Sequence, residues 1–101
     1  MAHVYEKITI IGMGLIGSSI ALASSRAALA LSICGCDVGP DIEKRVSKLA
    51  LVDDFEADPC HAVVDADLVI MAVPVGAMAD LSAKIVPYMK QGAILSDTGS
   101  T

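Results

Sequence analysis

The chain has 101 residues, enough for one domain with its own core but few beside most enzymes. Apolar residues make up 54% and aromatics only 3%, which predicts an aliphatic core and leftover hydrophobic surface for another domain or subunit to cover. A formal charge of −5 excludes a general nucleic-acid surface, which needs a basic face, but not an anion held by backbone amides at a helix N-terminus.

"KITII" (7–11) is apolar and β-branched without alternation, as in a parallel strand covered on both faces. Ile16, Ile20, Ala23 and Ala27 then recur at helical spacing, predicting a helix from about 15 to 28. "ALSICGCD" (30–37) reads as a second strand, and Pro40 suits the first turn of a helix over "DIEKRVSKLA". "LVDDF" is a short third strand or a turn. "DPCHAVVDA" (58–66) predicts a short helix with Asp58 as N-cap and Pro59 at its first position. "DLVIMAVP" (67–74) is the clearest strand, and Pro74 both stops it and opens the helix "VGAMADLSAKIVPYM", which Pro87 kinks or ends. Gly92 separates that helix from a last strand, "AILSD" (93–97). Strands alternating with helices predict a Rossmann-type α/β fold: a doubly wound parallel sheet between two helical layers.

Cys34, Cys36 and Cys60 are odd in number, and the C-x-C spacing of the first two matches neither a redox motif nor half a zinc site. They are expected to be reduced, buried thiols in a cytoplasmic protein, with no metal bound. No basic segment leads into an apolar one, and no apolar run reaches roughly 18 residues, so neither a signal peptide nor a membrane span is expected.

Gly12, Gly14 and Gly17 stand in G-x-G-x-x-G spacing where the first strand meets the first helix. Glycines can serve a bare turn. Here they sit inside a βαβ unit, and Asp37 falls twenty positions after Gly17 at the end of the second strand, which is the context of a dinucleotide fingerprint. Gly12 allows the sharp turn, Gly14 lets backbone approach a pyrophosphate, and Gly17 brings helix and strand together. Amides near Leu15 and Ile16 would face the diphosphate, and Asp37 would accept from the ribose hydroxyls. A carboxylate at 37 repels a 2′-phosphate and no Arg follows it, which favours NAD over NADP. Lys44 and Arg45 are expected on a solvated helix face. The strand ends at the glycines, at Asp37, at Val73 and Pro74, and at Asp97 to Ser100 should line one edge of the sheet as a single site.

With "IIGMGLIGSSIALA", "GCD", "DADLVIMAVPVGA" and "GAILSDTGS", the chain resembles, over essentially all its length, the N-terminal domain of the prephenate/arogenate (cyclohexadienyl) dehydrogenase family. The resemblance implies NAD-dependent oxidation of the ring alcohol of prephenate or arogenate. Hydride leaves, carbon dioxide is lost, and the ring becomes aromatic as 4-hydroxyphenylpyruvate or tyrosine. It also implies that the catalytic His, the substrate-binding Arg residues and an all-helical dimerisation domain lie beyond these residues. Ser100 matches the family serine that helps bind the reacting hydroxyl; it would otherwise be a loop or N-cap serine. The 101 residues alone would then bind NAD weakly and turn over nothing. A different β-hydroxyacid-type dehydrogenase or reductase, or a module that senses NAD(H) without chemistry, is the alternative.

His3 and His61 should lie toward the opposite edge in surface or structural roles. Asp65 and Asp67 look like a carboxylate pair but are read as solvated turn residues. Met71, Met78 and Met89 are read as core filler.

Overall fold

Five parallel strands, in the order β3-β2-β1-β4-β5, form the spine of the molecule. The computed structural model describes residues 5–37, 39, 41 and 52–98. In chain order these build β1 (Tyr5–Ile11), α1 (Leu15–Arg26), β2 (Ala30–Cys36), β3 (Asp54–Glu56), α2 (Pro59–Ala62), β4 (Leu68–Met71), α3 (Val75–Ile85), a 3-10 turn (Val86–Tyr88) and β5 (Ile94–Asp97). Apart from Asp41, the helix expected over 41–50 lies outside the described residues, and so do Lys44 and Arg45.

The unbroken apolar run of β1 is explained by burial on both sides. Ile8 and Ile10 pack with Met13, Ala21 and Ile33 under α1. Ile11 turns the other way, into a cluster with Cys36, Val69, Met71, Val63 and Ile85 under α2 and α3. Each such aliphatic side chain contributes roughly 1.5–3 kcal/mol on burial. Thr9 shares the second face, and its hydroxyl donates to the Ala62 carbonyl at 2.7 Å, fastening α2 to the middle of the sheet. Helices thus cover both faces, as the alternation of elements predicted. Met71 is buried, and Met78 and Met89 pack against the same cluster, as core filler should.

Several boundaries differ from expectation, each for a local reason. α1 stops at Arg26 rather than 28 because Ala28 adopts φ 52°, a left-handed conformation that favours glycine. The Ala28 amide donates to Ser25 and that of Leu29 to Ser24, the paired bonds of a Schellman stop. Sequence gave no warning, because alanine propagates helices. Asp58 does cap α2, accepting from the Cys60 amide at 2.9 Å behind Pro59, but the helix ends at Ala62 and turns follow. β4 ends at Met71, not at 74; the next residue, Ala72, still donates to the Ile11 carbonyl at 2.8 Å before the chain leaves the sheet. Pro87 converts the end of α3 into a 3-10 turn.

Candidate functional site

Register decides where the site can be. Ile11 is level with both Cys36 and Met71, and Met71 is level with Asp97, so four strands end at one edge. In an open parallel sheet this carboxyl edge is where ligands bind.

The glycine loop leaves β1 at that edge. The Gly12 amide donates to the Cys36 carbonyl at 2.7 Å, and its φ of 96° is open to glycine. A Cβ at Gly12 would also lie 3.1 Å from Val73 Cγ1, so the loop and the β4 exit are in close contact. Gly17 runs against the Gly12 carbonyl and leaves no room for a side chain. Gly14 is the opposite case: a Cβ there would meet nothing within 4 Å. Gly14 is also the N-cap of α1, where no side chain caps the helix and the first turn holds no acidic residue. The first-turn amides of Leu15, Ile16 and Gly17 thus have no acceptor from a capping side chain or a first-turn carboxylate and are of the kind that can meet an anion. Ile16 is 60% exposed and Val75, which opens α3, is 61% exposed, both as uncovered apolar side chains.

Asp37 stands beside this loop. Its Oδ2 accepts from the Met13 amide at 2.8 Å, and its Oδ1 accepts from the Gly39 amide at 3.0 Å. A cleft of about 300 Å³, mostly apolar, is lined by Gly12, Asp37, Val73, Pro59, Ala77, Leu81 and Lys84. Cys36 forms part of its wall, and burial, followed by Cys34 and Asp37, pushes its thiol up to about 12. It faces the cleft as a neutral, apolar group.

The expected residues thus divide. Gly12, Gly14, Gly17, Asp37 and Val73 come together at the carboxyl edge. Leu15 begins α1 there and Pro74 is the N-cap of α3. Ser100 lies outside the described residues, as does His3. His61 is exposed on α2, with Nε2 3.9 Å from Asp58 Oδ2, and does not line the cleft. Pro59, Ala77, Leu81 and Lys84 line the cleft without having stood out in the sequence; Ala77, Leu81 and Lys84 follow at helical spacing, which was the available signal. Sequence reasoning also missed Met13, a loop residue only 1% exposed, and Gly35, where a Cβ would press on Met13 Sδ at 3.2 Å.

A larger hollow of about 530 Å³ lies at the amino edge, lined by Tyr5, Leu31, Asp67, Lys90 and Ile94. Asp67 is not the solvated turn residue expected. Its Oδ2 accepts from the amides of Glu6 at 2.6 Å and Lys7 at 3.2 Å, and its Oδ1 pairs with Lys90. Glu6 adds a second carboxylate to this lining, and the strands begin rather than end here, so the hollow has no helix N-terminus of the kind found at the carboxyl edge. Among the described residues no group of three or more His, Cys, Asp or Glu could hold a metal ion, and no helix is long and apolar enough to cross a membrane.

The sequence model of a family described as prephenate dehydrogenase, nucleotide-binding domain, matches residues 20–101. The chain belongs to that family. Cyclohexadienyl dehydrogenase of Zymomonas mobilis is 39% identical over 97 residues, covering 96% of this chain and 33% of its own length. Prephenate dehydrogenase of Lactococcus lactis is 36% identical over 97 residues, covering 95% of this chain and 27% of its own. The crystal structure of prephenate dehydrogenase from A. aeolicus, in complex with hydroxyphenyl propionate and NAD+, superposes with a TM-score of 0.85 at 22% identity. That match covers 95% of this chain and 34% of the other. The chain therefore spans about a third of the length of the relatives it matches.

Proposed function

We propose that this chain is the nucleotide-binding part of an NAD-dependent prephenate or arogenate dehydrogenase. The observation that carries this reading is the open backbone at Gly14, set at an uncapped helix start beside the Asp37 carboxylate. The first-turn amides around Leu15 and Ile16 hold the diphosphate, with the helix dipole adding a partial positive charge. Asp37 accepts from the adenosine ribose hydroxyls: a carboxylate has about four lone-pair sites, and the amides of Met13 and Gly39 occupy one on each oxygen. The apolar cleft walled by Val73, Ala77 and Leu81 takes the adenine. When bound, NAD supplies the acceptor for hydride leaving the ring alcohol of the substrate. Ser100 meets that hydroxyl, and the base that removes its proton comes from a part of the protein beyond Thr101.

The same reading makes residues 1–101 an incomplete dinucleotide-binding domain, completed in a cytoplasmic homodimer by a helical domain that closes over the substrate. The exposed side chains of Ile16 and Val75 support this, since they offer apolar surface at the edge to be closed.

Calorimetric titration with NAD and NADP tests the cofactor. NAD is expected to bind at least about tenfold more tightly, because Asp37 repels a 2′-phosphate. Failure of NAD to bind, or a preference for NADP, overturns the cofactor assignment. Assay of the full-length protein with prephenate, arogenate and a 3-hydroxy acid tests the substrate, and oxidation of the 3-hydroxy acid alone overturns it.

A further inference from the structure

Asp37 has, we infer, a second task besides meeting the ribose: it is a positioning residue for the diphosphate loop, acting through Met13. The inference rests on the nucleotide-binding reading and deepens it.

A loop with glycine at both 12 and 14 is intrinsically loose, and looseness costs affinity because the loop must be ordered when ligand arrives. Met13, between the two glycines, removes that freedom at three points. Its side chain is buried against Gly35, with Sδ and Cγ at 3.2 and 3.3 Å from where a Cβ would stand. Its carbonyl accepts from the Ser18 hydroxyl at 3.1 Å. Its amide donates to Asp37 Oδ2 at 2.8 Å. The second of these bonds is of the stronger, charge-assisted kind, and it crosses from the loop after β1 to the end of β2. Asp37 Oδ1, bound to the Gly39 amide, fixes the carboxylate in turn. Ribose and diphosphate sites are therefore joined by a single side chain, and Asp37 governs a part of the nucleotide that it does not touch.

Adenosine and ADP separate the two tasks, because their affinities differ by the diphosphate contribution. Binding of each to the protein, followed by NMR titration, is expected to show Asp37→Ala weakening ADP more than adenosine. The advantage of ADP over adenosine should fall by about tenfold, the effect of losing one hydrogen bond to a charged group. Asp37→Asn, which keeps an oxygen to accept from Met13, should retain most of that advantage. Ser18→Ala, which frees the Met13 carbonyl but leaves Asp37 in place, should reduce it with adenosine affinity unchanged, and Asp37→Ser replaces Asp37→Ala should that variant not fold. An equal loss for both ligands on removing the Asp37 carboxylate overturns the positioning role and leaves the ribose contact standing. Absence of ADP binding to the unsubstituted protein overturns the nucleotide reading itself.

Discussion

A side chain on Gly17, in the first turn of α1, would be driven into the carbonyl oxygen of Gly12, whereas one on Gly14, in the loop between them, would meet nothing within 4 Å. The two glycines thus differ: the protein's own packing requires Gly17, whereas nothing in that packing requires Gly14. Gly17→Ala is expected to destabilise the fold by roughly 2 kcal/mol or more, since backbone rather than a flexible side chain must shift. Gly14→Ala, at φ −72°, should change stability by less than about 1 kcal/mol. It should nevertheless weaken NAD by about tenfold, because the new methyl group stands where the diphosphate nears the backbone. Urea unfolding and calorimetry on the two variants check this; full NAD affinity in Gly14→Ala would contradict it.

Asp67 fastens the start of β1 to the loop before β5 through Lys90 and the amides of Glu6 and Lys7. The hydrogen bond from Lys90, followed by those two amides, holds its carboxyl below the usual 3.8. Asp67 in turn raises Lys90 above its usual 10.5. A lowered carboxyl value means stability that is present above the unfolded value and lost as pH falls through the folded one. A raised ammonium value means stability that is present below the unfolded value and lost as pH rises through the folded one. The melting temperature of Asp67→Ala should therefore fall furthest below that of the parent from roughly pH 5 to roughly pH 9. The gap should close in stronger acid, and a gap indifferent to pH would count against the staple.

The thiols give a second pH signature. Cys34 and Cys36 are 3% and 1% exposed. Burial raises both above the usual 9.0, Cys36 to about 12. Alkylation at pH 8 should therefore leave Cys34 and Cys36 intact in the folded protein and label them once urea unfolds it. The unfolded chain ionises first as pH rises from 9.0, so this contribution to stability fades between there and the raised folded values. Cys36→Ala should consequently lose less stability than the parent between pH 8 and about pH 11. Rapid labelling of Cys36 at pH 8 would disprove its burial.

The hydrophobic run of β1, the glycine spacing and the carboxylate twenty residues after Gly17 were all legible in sequence, because each is a local pattern set by periodicity or by one residue's conformational range. They sufficed for the parallel sheet and for the resemblance to prephenate dehydrogenases that the family match bears out. Partners far apart in the chain were not legible. Asp67 meets Glu6 across 61 positions and Asp37 meets Met13 across 24, and nothing in either local sequence distinguishes a carboxylate that staples backbone from one that faces water. That choice depends on strand register, which puts the end of β2 beside the loop after β1 and the start of β4 beside the start of β1. The left-handed Ala28 belongs with these, since alanine itself does not favour that conformation and nothing in its local sequence announces it. Sequence alone determined which residues could form a nucleotide loop; only tertiary structure decided which groups hold that loop still, because hydrogen-bond partners are chosen by proximity in space.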